Sequence, residues 1–175
     1  MTTPDDCVDL LDEAGCSADV QEHVAAGMDL AMAMARRTNV DDDVVAAGSL
    51  LHDVGRGFDH GPTHVPLGVD FLEERDVDES IVACVARHMG AGITDEEADE
   101  LGWPAGTWSP QRMEEKIVAH ADNLTSGTTY RSVEDAIEKL QAEGLDEAAA
   151  RMRRLDEELA EALGKQPSQI AAELG

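Results

Sequence analysis

Residues 44–57, Val-Val-Ala-Ala-Gly-Ser-Leu-Leu-His-Asp-Val-Gly-Arg-Gly, constrain the fold more than any other stretch of the chain. Val44, Val45, Ala47, Gly48 and Leu51 recur at helical spacing, so one face of a helix can be buried. Asp41, Asp42 or Asp43 can cap its start, and Gly55 or Gly57 can stop it. The helix therefore ends on an adjacent imidazole and carboxylate, His52 and Asp53. A buried carboxylate is costly unless it is paired or bound to a cation, and a helix C-terminus favours positive charge. A divalent metal satisfies both conditions. From this stretch alone, a core histidine beside a surface aspartate remains an open alternative.

Helical patterns with local start and stop signals surround this segment. Thr3-Pro4 is a cap with a first-turn proline, followed by the stripe Cys7, Val8, Leu10 and Leu11 up to Gly15. Ser17 caps a second helix whose inward face runs Val20, His23, Ala26, Gly27, Leu30, Ala31 and Met34. Thr63 can cap a helix carrying His64, Leu67, Gly68 and Phe71 on one side. Asp78 can cap the next, where Ile81, Cys84, Val85 and His88 share a stripe. The pattern breaks from Met89 to Trp108, which reads as a lid or as an irregular surface connection pinned by Trp103 and Trp108. Ser109-Pro110 is expected to open a helix from Gln111 to about Leu124, with Asp122 at the edge of its apolar stripe. Residues 125–131 form a polar loop, and Ser132 caps a helix closed by Gly144. A helix over Leu145–Leu163 and a short one over Ser168–Leu174 follow. With no strand alternation, repeat or linker, the expectation is an all-α helical bundle in one domain, residues 1–175.

The formal charge of −25 comes from 38 acids against 13 bases, only three of them lysines. Such a chain lacks the basic footprint of a nucleic-acid binder. Hyperthermophile surfaces are rich in lysine as well as glutamate, so the balance points instead to a halophilic cytoplasm, where ~1 M salt shortens screening to about 3 Å. No run approaches the ~18 apolar residues of a membrane span, and the acidic start resembles no targeting peptide. A cytoplasmic location without membrane attachment is expected. Three cysteines with no CxxC pair argue against a disulfide framework and a thiolate zinc site.

His23, His52 and His88 fall on inward faces of separate helices, and His64 opens a fourth on its apolar side. Asp53 and Asp122 lie on or beside buried stripes. Each buried polar group needs a partner, and a shared metal centre in a helical bundle provides one for all. Imidazole with carboxylate suits Mn, Fe, Co, Ni or Zn better than Mg or Ca. Four His and two Asp suffice for one or two ions, the latter bridged by one carboxylate and able to clamp a phosphoryl group.

The order His23, His52-Asp53, Asp122 resembles the H…HD…D signature of the HD-domain metal-dependent phosphohydrolases, and Leu-Leu-His-Asp-Val-Gly-Arg is similar to their LLHDIGK form. His64 and His88 look like the additional histidines of the two-metal branch. The pattern spans residues 17–131, leaving 132–175 as C-terminal helices. The segment 114–124 resembles small single-domain archaeal members. The resemblance implies an HD-domain fold in which His23, His52, Asp53 and Asp122 hold a first metal. Asp53 bridges to a second, held by His64 and His88, and with Arg56 carries catalysis. Arg56 stands where the family usually has Lys and reads as a phosphate clamp. No GYP-type motif is present, so a cyclic-dinucleotide role has no support in the sequence.

His60, Arg87 and Arg131 are further candidates for substrate contact, as is Lys116; each is equally a surface or salt-bridge residue. His120, about 200° around a helix from Asp122, is expected in the core or behind the ligands, and Cys84 as an inert core thiol. The resemblance implies an enzyme, a phosphohydrolase attacking a phosphate ester or anhydride of a small molecule, a nucleotide foremost, through a metal-bound hydroxide. The alternatives are a di-iron oxygenase and a non-catalytic metal or nucleotide sensor. The leucines and alanines of 145–163 could serve a homodimer, or pack on their own domain.

Overall fold

The computed structural model describes residues 2–175. Helices α1 (Pro4–Ala14), α2 (Ala18–Ala35) and α3 (Asp42–Leu51) are followed by a 3-10 turn, Val54–Gly57. Then come α4 (His64–Glu73), α5 (Glu79–Ala86), α6 (Asp95–Leu101) and α7 (Met113–Asn123). A two-residue hairpin, β1 (Thr125–Ser126) and β2 (Thr129–Tyr130), precedes α8 (Val133–Ala142), α9 (Asp146–Leu163) and α10 (Pro167–Leu174). The fold is all-α apart from that hairpin. Among the described residues, no helix is long and apolar enough to cross a membrane.

Local capping chemistry sets most helix ends. Thr3 and Asp6 form a reciprocal capping box on α1, and Gly15 closes it in the left-handed region at φ 82°. Ser17, Asp41 and Ser132 each accept a backbone N–H at the start of α2, α3 and α8. Three expected starts differ. Thr63 and Asp78 precede α4 and α5, but neither side chain accepts a capping hydrogen bond. Helix α7 begins at Met113, not Gln111, because the buried Glu115 carboxylate reaches back to the N–H groups of Gln111 and Arg112. The Ser109 hydroxyl donates instead to the Ile93 carbonyl. The expected loop 125–131 pairs Thr125 with Tyr130 as a hairpin.

Helix α3 is the centre of the molecule. All five residues from Ala47 to Leu51 are buried, so its apolar surface extends well beyond the single expected face. One core cluster joins α1, the start of α2, α3, α4, α5 and both tryptophans. A second joins the rest of α2 to α7, α8, α9 and α10. At Gly48 an added Cβ would stand 2.7 Å from the Cys84 Cβ, so α3 and α5 touch almost backbone to backbone. Gly55 and Gly57 do not end α3 by a left-handed cap; neither has positive φ. They permit close approach: added Cβ atoms would lie 1.7 Å from the His64 carbonyl oxygen and 2.1 Å from that of Ala14. Trp103 and Trp108 pack edge to face at 5.0 Å between centroids and pin residues 89–108 to the core. The apolar stripe of α9, including Met152, Leu155 and Leu159, is covered within the chain. That stripe is therefore not the free face expected of a dimer contact.

Candidate metal centre

Each candidate ligand stands at or near the end of an element. His52 follows the last residue of α3, Asp53 precedes the 3-10 turn, and His64 opens α4. His88 lies just beyond α5, Asp122 is in the last turn of α7, and His23 lies in the second turn of α2. The fold brings all six into two groups that share Asp53: His23, His52, Asp53 and Asp122, and Asp53, His64 and His88. His23 Nε2 is 3.0 Å from Asp122 Oδ1 and 3.5 Å from Asp53 Oδ2. His52 Nε2 is 3.2 Å from Asp122 Oδ1 and 3.4 Å from Asp53 Oδ2. On the other side, Asp53 Oδ1 is 3.2 Å from His64 Nε2 and 3.5 Å from His88 Nε2. One carboxylate thus offers Oδ2 to the first group and Oδ1 to the second.

The orientation of the rings suits a cation. Backbone carbonyls only accept hydrogen bonds. His23 Nδ1 faces the Gly127 carbonyl at 2.8 Å, His52 that of Ser49 at 2.7 Å, His64 that of Gly61 at 2.8 Å and His88 that of Val85 at 2.7 Å. Each Nδ1 therefore carries hydrogen, and in the neutral ring each Nε2 presents a lone pair to the cluster. Lone pairs then confront carboxylate oxygens, and His64 Nε2 faces His88 Nε2 at 3.4 Å. Only protons or metal ions can reconcile these groups. His52 Nε2 and Asp53 Oδ1 are buried with no hydrogen-bond partner, so both ligand groups could hold a cation.

The electrostatics agree. The hydrogen bond with Asp122 raises the His23 pKa. Burial opposes charge on His52, but the Asp53 and Asp122 carboxylates outweigh it and hold its pKa well up. Burial would raise Asp53 and Asp122, yet the neighbouring imidazoles, His52 first, drive both down. Burial lowers His88.

The remaining candidates divide. Arg56 Nε lies 3.1 Å from Asp53 Oδ1 and its Nη1 donates to the His60 carbonyl, placing the guanidinium on the rim of the centre. His60 is exposed on the same loop. Arg131 donates from Nε to the Asn123 carbonyl, next to Asp122. Arg87 is held by the buried Glu115 at 2.8 Å and by the Thr107 carbonyl, and Lys116 by Glu158 at 2.8 Å; the structure does not bring these two to the ligand cluster. His120, fully buried, faces Asp156 Oδ1 at 2.7 Å, in the core, one of the two places expected for it. Its partners Asp156 and Asn123, and the four carbonyls that orient the imidazoles, had no sequence signal: backbone acceptors look alike at every position.

A family model for the HD domain matches residues 20–127, from the start of α2 to the tip of the hairpin. The chain belongs to the HD-domain family of metal-dependent phosphohydrolases. Among its relatives is a Thermoplasma volcanium protein named tRNA (cytidine(56)-2'-O)-methyltransferase, 40% identical over 164 residues. That match covers 94% of this chain but 48% of the relative, so the chain spans about half the length of that protein. An uncharacterized protein of Methanocaldococcus jannaschii is 44% identical over 131 residues, covering 72% of this chain and 78% of its own. The HD domain of the Listeria monocytogenes phosphodiesterase PgpH, solved with cyclic-di-AMP, superimposes with a TM-score of 0.61 over 95% of both chains at 17% identity. That likeness shows the fold.

Proposed function

We propose that this chain hydrolyses a phosphate ester or anhydride of a small molecule, with a nucleotide as the leading substrate class. The observation that carries this reading is the sharing of Asp53 between two ligand groups, one per carboxylate oxygen. Divalent ions of the Mn, Fe, Co, Ni or Zn group, held by His23, His52, Asp53 and Asp122 and by Asp53, His64 and His88, would supply an activated water and Lewis acidity toward a phosphoryl oxygen.

The chain's own groups do the positioning. Asp53 holds the two ligand groups at a fixed separation, and the four carbonyl-bound Nδ1–H groups fix the direction of each Nε2 lone pair. Arg56, 31% exposed in its side chain, keeps part of its fork free for a phosphate oxygen. A guanidinium fork suits a phosphate clamp and is a poor proton carrier. His60, whose carbonyl accepts from Arg56, and Arg131, bonded to the Asn123 carbonyl next to Asp122, are the further substrate contacts in this reading; Arg87, committed to Glu115, would have to leave that pair to join them. In so acidic a chain, bound cations also supply the charge that admits an anionic substrate.

Methyl transfer, named for the Thermoplasma volcanium relative, is the competing reading. The chain spans 48% of that protein, and four imidazoles with two carboxylates are donors for a cation rather than for a methyl-group carrier. The test is a metal analysis of protein purified in high KCl. A panel of phosphomonoesters, phosphodiesters and dinucleoside polyphosphates is then assayed with Mn, Co and Ni. Turnover should be abolished by chelator and in Asp53→Ala, and KM should rise about tenfold in Arg56→Ala, the effect of losing one charged hydrogen bond. An undiminished rate in Asp53→Ala, or methylation of tRNA by this chain alone, refutes the reading.

A further inference from the structure

Helix α7 carries two buried polar side chains in its last turns besides the ligand Asp122: His120 and Asn123. His120 Nε2 lies 2.7 Å from Asp156 Oδ1 on α9. A carboxylate only accepts, so Nε2 carries the hydrogen and Nδ1 is the acceptor. That is the reverse of the tautomer at the four metal-facing histidines. Asn123 Nδ2 stands 3.2 Å from His120 Nδ1 and 3.0 Å from the Gly90 carbonyl, which engages both of its N–H groups. Asp156, His120, Asn123 and Gly90 thus form one chain of hydrogen bonds through the interior, with His120 fully buried and Asp156 only 7% exposed.

Gly90 lies two residues beyond His88. This segment has left α5 at Arg87, and Gly90 turns it in the left-handed region at φ 59°. No helix holds its backbone, and the Asn123 amide ties it directly to α7. We infer that Asp156, His120 and Asn123 are positioning residues that set the hold of Asp53, His64 and His88 on their cation. They do so by fixing His88 against the helix that carries Asp122. The inference rests on the metal-centre reading above and adds α9, outside residues 20–127, to the machinery of the centre.

The test is titration of metal-free protein with Co²⁺, read by calorimetry and by the visible absorption of the bound ion, with melting temperature measured alongside. Asn123→Asp keeps the size but removes the donor. It should weaken the second cation about tenfold or more, as loss of groups that orient ligands does, and leave the first within about twofold. Asp156→Ala, remote from both ligand groups, should act in the same direction and serves if Asn123→Asp does not fold. Asp156→Asn, which keeps an acceptor for the His120 N–H, should restore second-site binding. A purely structural role would lower the melting temperature while leaving the ratio of the two affinities unchanged, and that result overturns the inference. Binding of only one Co²⁺ by the unsubstituted protein is a separate outcome; it removes the two-cation reading and the inference with it.

Discussion

Gly55→Ala is the sharpest perturbation the structure offers. An added Cβ would stand 1.7 Å from the His64 carbonyl oxygen, 2.7 Å from the His64 carbonyl carbon and 2.9 Å from Gly68 N. All three are backbone atoms, so no rotamer change relieves the clash. Ordinary contact begins near 3.4 Å, so the 3-10 turn and α4 must separate by more than an ångström. Overpacking typically costs about 1–3 kcal/mol, and a backbone clash belongs at the upper end. At about 2–4 °C per kcal/mol for a domain of this size, the melting temperature should fall by about 6–12 °C. The shift also moves His64 away from Asp53, so second-cation affinity should drop while first-cation affinity is largely kept. Differential scanning calorimetry and Co²⁺ titration in high KCl measure both. Gly102→Ala is the control: nothing lies within 4 Å, but φ is 77°. It should cost about 1–2 kcal/mol of backbone strain without touching either affinity. A Gly55→Ala protein that melts within about 2 °C of its parent and binds both cations normally refutes this close-packing account.

In metal-free protein, His23 and His52 titrate above their ordinary 6.5, so the stability they lend is complete below that pH and is lost as pH rises through the folded values. Asp53 and Asp122 titrate below 3.8 and lose theirs only in stronger acid. The metal-free melting temperature should therefore decline from pH 6.5 upward, and saturating divalent cation should reverse that slope, because ligands bind deprotonated; a metal-free protein that gains stability over this range contradicts the assignment. Cys7, Cys16 and Cys84 are free and buried, and burial pushes the Cys7 thiol up to about 11. A thiol-reactive dye at pH 8 should label none of the three rapidly without denaturant, whereas rapid labelling of the native protein refutes their burial. With a charge of −25, the protein should lose structure when KCl is lowered to about 0.1 M; a melting temperature indifferent to salt removes the halophilic reading.

Much of the fold follows from short-range chemistry written in the chain. Thr3, Ser17, Asp41 and Ser132 cap their helices through side-chain oxygens that reach two or three residues ahead. Where a start depended on a distant environment, local signals misled. Ser109-Pro110 looks like a helix opening, but the buried Glu115 organises that turn and also holds Arg87. Helical spacing put His23, His52, His64 and His88 on inward sides and Asp53 and Asp122 on or beside buried stripes. Their meeting point depended on how α2, α3, α4, α5 and α7 cross.

The chain alone determined the helices, their apolar faces and the polar side chains those faces carry inward, since propensity, capping and periodicity act within a few residues. Tertiary packing decided the rest. It set which oxygen of Asp53 meets which imidazoles, which carbonyl fixes each ring, and the burial of His120 against Asp156 thirty-six residues away. Those outcomes depend on backbone approaches such as Gly48 on Cys84 and Gly55 on His64. A glycine shows that close approach is permitted; only the assembled core shows what comes close.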